Sequence, residues 1–269
     1  MNLSSMFKVS CIQLCSGKNS LKNLKISKSL ILKAIKQNSD LIITPETSSL
    51  FGLNKKELMA SATSMEKDLY LIEMRNIAKF YRKWLLIGSV VVKEKNKIKN
   101  RSVLINPKGG VQIYYDKMHM YDATLSEKEK YSESMTFSKG KLIKSVNLPW
   151  GKLGLSICYD IRFPNMFRKL AKKGSLFISV PSAFTETTGK KHWHSLLKAR
   201  AIENFCYIFA PAQSGTHWNK RKTFGHSLII SPDGKILKEL KKGIGVITAN
   251  IDPGLSKILR KRISSLNKD

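Results

Sequence analysis

Short apolar runs alternate with amphipathic stretches along most of this chain. Residues 6–14, 40–44, 84–92, 176–180, 207–212 and 246–251 have the length and the aliphatic and aromatic content of buried strands. Residues 21–35, 66–81, 165–173, 192–205 and 253–260 read as helices, and the first sets apolar residues at helical spacing with lysines on the opposite face. Three pairs of runs flank turn sequences: 103–106 and 111–115 around Pro107-Lys108-Gly109-Gly110, 142–148 and 153–157 around Pro149-Trp150-Gly151-Lys152, and 227–231 and 235–240 around Pro232-Asp233-Gly234. Each pair predicts a hairpin. Hairpins mixed with strand–helix alternation predict α/β layers, with one sheet or two left open. No Pro/Ser/Gly-rich linker and no repeat breaks the alternation, so residues 1–269 read as one domain.

A chain of 269 residues, 42% hydrophobic, is long enough to bury a substantial core. No apolar run approaches the ~20 residues that span a bilayer, so no membrane association is expected. Residues 1–6 lack a basic flank followed by an apolar segment, so no secretory leader is expected either. Cysteines at 11, 15, 158 and 206 give no disulfide framework, and a reducing cytoplasm is the expected compartment. Lys and Arg total 48 against 19 Asp and Glu, a formal net charge of +29. A polyanion partner is one reading of that excess. The lysines are dispersed, however, and no run reaches the five or six like charges of a basic tail. The charge therefore predicts steering of small anions rather than specific nucleic-acid binding.

Cys158 is the leading candidate for chemistry. The apolar run 153–157 delivers its thiol to a turn, and a helix starts after Pro164. Backbone N–H groups at such a turn help to stabilise a thiolate. Glu46 follows the run 41–43 through Thr44-Pro45, and Lys117 follows Tyr114-Tyr115-Asp116. Rival constellations are weaker. Gly154-x-Ser156-x-Cys158 falls one Gly short of a serine nucleophile elbow, and Ser156 sits one step earlier, in the strand. His192 and His194 are two apart on a helix and do not face one metal ion. Cys11 and Cys15 lack a second ligand pair for zinc. Cys206 ends a helix and reads as packing.

Pro45-Glu46, then Lys117-Met118-His119, then Cys158-Tyr159-Asp160-Ile161-Arg162-Phe163-Pro164, in that order, resembles the nitrilase superfamily of carbon–nitrogen hydrolases. The resemblance extends over nearly the whole chain. Lys8-Val9-Ser10-Cys11-Ile12-Gln13-Leu14 is similar to the opening strand. Pro181-Ser182-Ala183-Phe184, His192-Trp193, Ala199-Arg200-Ala201-Ile202-Glu203-Asn204 and Gly225-His226-Ser227 resemble the Nit-type amidase branch. Ala212-Gln213-Ser214-Gly215-Thr216-His217 narrows it toward enzymes similar to the deaminated glutathione amidases. Three departures bear on substrate detail: His194 where Glu is frequent, Ser214 where Cys is frequent, and Asp233 where Trp is common.

The resemblance implies a four-layer α-β-β-α sandwich of two facing sheets that pairs into homodimers or higher oligomers. It implies no metal and no organic cofactor, and it gives His226 a structural place at a strand start; His217 stays ambiguous. Glu46, Lys117 and Cys158 are the implied catalytic set. Glu133, in Tyr131-Ser132-Glu133-Ser134, is the implied supporting carboxylate, although Tyr stands where Arg is common. Glu46 would take the thiol proton. Lys117 would stabilise the tetrahedral intermediate beside an N–H near Tyr159, and Glu133 would orient Lys117. Loops at 159–162, 182–189 and 213–217 are the expected pocket rim, with Tyr159, Arg162, Ser182, Phe184 and Thr185 as substrate-binding candidates. Arg162 has an equal structural reading, pairing with Asp160 or Glu203. The expected activity is hydrolysis of a carboxylate-bearing primary amide to acid and ammonia through a thioester. Its closest class is cleavage of deaminated glutathione to a 2-oxo acid and a dipeptide. Alternatives are an ω-amidase on 2-oxo-acid amides, an N-carbamoyl amino acid hydrolase and, outside enzymes, a basic nucleic-acid-binding protein.

Overall fold

The computed structural model describes residues 6–127 and 129–268; apart from Met6, the leader reading falls outside them. The first half of the chain forms β1 (Phe7–Gln13), α1 (Ser20–Lys36), β2 (Leu41–Ile43), α2 (Lys55–Ser61), α3 (Leu69–Tyr81), β3 (Trp84–Glu94), β4 (Lys97–Ile105), β5 (Val111–Asp116), β6 (Asp122–Thr124) and β7 (Lys130–Ser132). The second half forms β8 (Ser145–Leu148), β9 (Gly151–Leu155), a 3₁₀ turn (Cys158–Arg162), α4 (Pro164–Lys172), β10 (Ser175–Ser179), α5 (Glu186–Asn204), β11 (Tyr207–Ala210), β12 (Ser214–Thr216), β13 (Lys222–Phe224), β14 (Ser227–Ile230), β15 (Ile236–Leu240), β16 (Gly245–Ile251) and α6 (Pro253–Arg262).

Two six-stranded mixed sheets result, ordered β16-β1-β2-β3-β4-β5 and β15-β14-β11-β10-β9-β8. In the first, β1, β2 and β3 are parallel, which requires the helical crossovers between them; in the second, β9, β10 and β11 repeat that arrangement. β16 returns to pair antiparallel with β1, which sets the last strand beside the first.

Side-chain alternation stacks the layers. Val9, Cys11, Leu41, Ile43, Leu86 and Leu104 join the core shared with the second sheet. Their neighbours Ile12, Ile42, Leu85, Ile87, Val103 and Ile105 join Ile31 and Ala34 of α1 and Tyr70, Met74 and Ile77 of α3. A period of two thus sends alternate residues of one strand into different cores. With α4 and α5 packed on the far side of the second sheet, the protein is an α-β-β-α sandwich. Among the described residues, no helix is long and apolar enough to cross a membrane.

The sequence hides several elements. α5 begins at Glu186 instead of 192, with Thr185 accepting the Thr188 N–H as its cap. Its first turn is polar and carries Gly189, where a Cβ would stand 2.4 Å from Phe224. β4 starts at Lys97 instead of 103, because Asn100, Arg101 and Ser102 are buried polar residues that mask a strand. α2 and the two small ribbons, β6–β7 and β12–β13, carry no strong period.

Gly88 in β3 fixes the loop that carries Glu46. A Cβ there would lie 1.9 Å from the Thr44 carbonyl oxygen and 2.7 Å from that of Pro45. The adjacent Ser89 accepts the Thr47 N–H on its hydroxyl at 2.7 Å and donates its own N–H to Pro45 at 3.2 Å. Gly88→Ala should therefore destabilise the fold by about 3 kcal/mol or more, the upper range for overpacking. Urea unfolding would show it, and a loss below 1 kcal/mol would mean that the loop can move aside.

Candidate active site

Cys158 follows β9 at φ 48°, a left-handed conformation that a residue with a Cβ rarely adopts. Its N–H donates to the Pro181 carbonyl at 2.9 Å. That N–H is thus spent on structure and is not among the turn N–H groups free to stabilise a thiolate. Burial pushes the Cys158 thiol well above the ordinary value, the Glu46 charge raises it further, and Lys117 only partly opposes them. The resting sulfur is a neutral thiol.

Lys117, just past β5, is buried with its ammonium between two carboxylates. Nζ lies 2.8 Å from Glu46 Oε1, and 2.9 and 2.8 Å from the two oxygens of Glu133. Burial alone would lower the Lys117 value, but the charges of Glu133 and Glu46 raise it, so the amine stays protonated. Glu46 is the mirror case. Burial would raise its carboxyl; the Lys117 charge and hydrogen bonds from Lys117, the Cys158 thiol and the Ala183 N–H outweigh that and hold it below its ordinary value. The Ala183 bond to Glu46 Oε2 measures 2.8 Å. Asn100 donates to Glu46 Oε1 at 2.9 Å and to Glu133 Oε1 at 3.2 Å, and the Tyr121 N–H donates to Glu133 Oε2 at 2.6 Å.

The lysine segment and the cysteine turn come from different sheets, and Asp160 joins them. Its fully buried carboxylate accepts the Ile157 N–H at 2.8 Å, the Tyr115 hydroxyl at 2.7 Å and the His119 N–H at 3.1 Å. His119 Nδ1 lies 2.7 Å from the same carboxylate, and its ring stacks on Phe163. A buried carboxylate held by this many partners rigidifies whatever it joins.

Glu46, Lys117, Glu133 and Cys158 all line one cavity of about 530 Å³, whose walls include Phe51, Leu53, Tyr121, Tyr131 and Arg221. The other candidates are placed differently. Tyr159, Arg162, Phe184 and Thr185 line a small crevice that shares Tyr121, Cys158 and Ala183 with this cavity. Ser182 is not at the rim: it is buried, and its hydroxyl donates to Val180 O at 3.0 Å. Arg162 pairs with neither Asp160 nor Glu203. Its Nη2 meets His192 Nδ1 at 3.2 Å, while Glu203 pairs with Arg200. Residues 213–217 do not line the cavity: Gly215 and Thr216 face solvent in β12, while Gln213 and His217 turn inward. Gln213 Nε2 donates to the Glu46 carbonyl at 2.9 Å, and His217 sits between Ser16 O and Thr223 Oγ1 at 2.8 Å each. Burial pushes His217 down to about 4, so it is neutral near neutral pH. Ser156, the rival nucleophile, is buried and donates to Ser179 O at 2.7 Å.

Asn100, Tyr121 and Arg221 were missed by sequence reasoning. Only the buried Asn100-Arg101-Ser102 run carries a signal, as a polar stretch between two apolar ones. For a metal ion, His194, His226 and Glu239 present ligand atoms within 4.8 Å of one another. Both imidazoles already meet the same Glu239 oxygen, at 2.9 and 2.6 Å, and none of the three lines the cavity. No described ligand set approaches Cys158.

Comparison with known proteins agrees with this geometry. The carbon-nitrogen hydrolase family model matches residues 8–261. A deaminated glutathione amidase from Synechocystis sp. is 38% identical over 263 residues, covering 95% of each chain. The structure of the C. elegans NitFhit protein superposes with a TM-score of 0.92 at 33% identity, covering 98% of this chain and 65% of that one. This chain thus spans just under two thirds of that protein's length. Saccharomyces cerevisiae Nit3, a member of branch 10 of the nitrilase superfamily, gives a TM-score of 0.87 at 27% identity, covering 97% and 95%. By fold this is a nitrilase-type sandwich. The chain belongs to the carbon–nitrogen hydrolase family.

Lys117→Met leaves two carboxylates facing each other in a buried site. Removing one partner of a buried ion pair costs ~3–5 kcal/mol. Without the ammonium, burial raises the Glu46 value above its unfolded one, so the folded state binds the extra proton and stability should rise as pH falls. In the wild type Glu46 acts in the opposite sense, because its folded value is depressed. Between pH 8 and pH 5, urea unfolding should show the variant gaining stability relative to the wild type, whose Glu46 is ionised in both folded and unfolded states over that range; an unchanged difference between the two proteins would mean that the ammonium is not the counter-charge.

Proposed function

We propose that this protein is a cysteine-dependent amidase that hydrolyses a carboxylate-bearing amide through a thioester intermediate. The observation that carries the reading is geometric: Cys158, Glu46 and Lys117 line one cavity, with the Lys117 ammonium 2.8 Å from Glu46 Oε1. Amide carbons are weak electrophiles, and a covalent intermediate divides the difficult step into two. Cys158 Sγ attacks the carbonyl carbon while Glu46 takes the thiol proton. Lys117 and the Tyr159 N–H, in the first turn of the 3₁₀ segment where N–H groups lack an intrahelical acceptor, stabilise the oxyanion. Collapse breaks the C–N bond as Glu46 passes the proton to the departing nitrogen. Glu46 then deprotonates a water that attacks the thioester, which releases the acid and restores the thiol. Glu133 and Asn100 hold Lys117 and Glu46 in place and are positioning residues.

The leaving group is ammonia from a primary amide. It is a dipeptide amine from a deaminated-glutathione-like substrate, the compound named for the Synechocystis relative. An ω-amidase on small 2-oxo-acid amides would use the same steps. The larger substrate is favoured because the cavity shares Gly52, Leu53, Lys130, Tyr131 and Arg221 with a second cavity of about 540 Å³. The reading extends to a cytoplasmic homodimer or higher oligomer, as the family resemblance implies. The +29 charge then serves to draw anionic substrate in.

Cys158→Ala should abolish release of ammonia or amine, and retained turnover would remove the mechanism. Glu46→Gln, nearly isosteric, should lower kcat by ~100- to 10,000-fold, the range for a positioned base. The pH profile of kcat/KM reads the same proton. Glu46 must be ionised, and its value is depressed. Activity should therefore hold through weakly acidic pH and fall only below the ordinary carboxylate value of about 4.3. An acid limb near neutrality would point to a different base.

A further inference from the structure

Two charged groups on the cavity wall, Lys130 and Arg221, take no part in the chemistry above. Arg221 sits in the turn between β12 and β13, and that turn is docked firmly. The His217 N–H donates to the Arg221 carbonyl at 2.9 Å, Trp218 Nε1 to Phe51 O at 2.8 Å, and Asn219 Nδ2 to Gly52 O at 3.2 Å. The guanidinium lies 5.1 Å from the Phe51 ring and 5.0 Å from the Tyr131 ring, distances that orient a planar cation. Among the described residues, Nη2 meets the Ala183 carbonyl at 3.1 Å, no carboxylate pairs with the guanidinium, and Nε is buried with no acceptor. Guanidinium carries five N–H donors and cannot lose its proton, so a group this poorly matched calls for an anion.

The charge layout says which end of a substrate goes where. The floor holds Glu46 and Glu133 against Lys117, one net negative charge, which rejects an anion and accepts a neutral amide. The wall holds Arg221 and Lys130 at the boundary between the two cavities; the carboxylates farther out are engaged elsewhere, Glu129 by the Tyr131 and Thr187 hydroxyls and Glu186 by Lys190. Ala183 links the two regions: its N–H bonds Glu46 and its carbonyl accepts from Arg221, so one residue separates the base from the guanidinium.

We infer that Arg221, not Arg162, is the receptor for a carboxylate of the amide substrate, a few bonds from the scissile carbonyl. This rests on the amidase reading and names the residue that selects the substrate. Arg162 lines only the smaller crevice beside Cys158, and its Nη2 already meets His192 Nδ1 at 3.2 Å. A planar carboxylate suits the planar fork, and one charge-assisted hydrogen bond is worth ~1.5–3 kcal/mol, or about 10- to 100-fold in binding.

The test compares glutaramate and deaminated glutathione with their methyl esters, and reads the acid-to-ester ratio of kcat/KM. Arg221→Gln should lower that ratio about 10- to 100-fold, mostly through KM, as loss of ground-state binding does. Arg162→Gln should leave the ratio unchanged. Arg221→Lys keeps the charge and loses the fork, so its ratio should fall partway; it replaces the Gln variant if circular dichroism shows that the latter does not fold. Equal loss on acid and ester, an unchanged ratio in the Lys variant, or a collapse in Arg162→Gln instead would overturn the assignment while leaving the amidase reading intact. A wild-type protein that cleaves none of the four amides would overturn both.

Discussion

A buried ammonium persists only while opposite charge surrounds it, and Lys117 has two carboxylates within 2.9 Å. Everything else in the site adjusts to that cluster. The ammonium lets Glu46 stay ionised in a place where burial favours the neutral acid. The ionised Glu46 then keeps Cys158 protonated by adding its own charge to the effect of burial. The site therefore stores a base and a thiol side by side instead of a preformed ion pair. A neutral thiol is slower to react with stray electrophiles, so nucleophilicity is held back until a substrate carbonyl arrives.

The cluster depends on the sandwich for its geometry. Glu46 comes from the loop after β2 and Lys117 from the end of β5, both in one sheet; Cys158 follows β9 of the other. Gly88 and Ser89 press the Glu46 loop into position from β3. Asp160 ties the lysine segment to the cysteine turn through hydrogen bonds to both. The left-handed backbone at Cys158 belongs to the same design, because a regular strand would carry the side chain past the cavity.

Much of this is legible in the sequence because it follows from local rules. Strands 41–43, 153–157 and 176–180 stand out as short apolar runs, and Glu46 and Cys158 lie just beyond their ends. What is hidden depends on burial that no period announces. The first half of β4 reads as polar, yet Asn100 and Arg101 are buried: Asn100 donates to Glu46 and Arg101 pairs with Asp116. Arg221 looks like one basic residue in a basic stretch until the β12–β13 turn folds back onto Phe51. Ser182 reads as a rim hydroxyl, but the chain after Pro181 turns it toward the Val180 carbonyl. Protonation at Cys158 follows from burial depth and from the Glu46 charge, neither of which is written at position 158 itself.

The seam that Asp160 closes makes function a gauge of tertiary docking. The helices and both sheets carry the bulk of the secondary structure, whereas the reactive centre exists only where the two sheets touch. A loosened form with its sheets intact but slightly parted would look folded by far-ultraviolet dichroism and have no assembled centre. Acid favours that form. The charge on Glu46 contributes stability above its unfolded value and is lost as pH falls through its depressed folded value, leaving Lys117 with weaker compensation inside the seam. Expansion on acidification should begin at the interface between the sheets rather than at their outer helices.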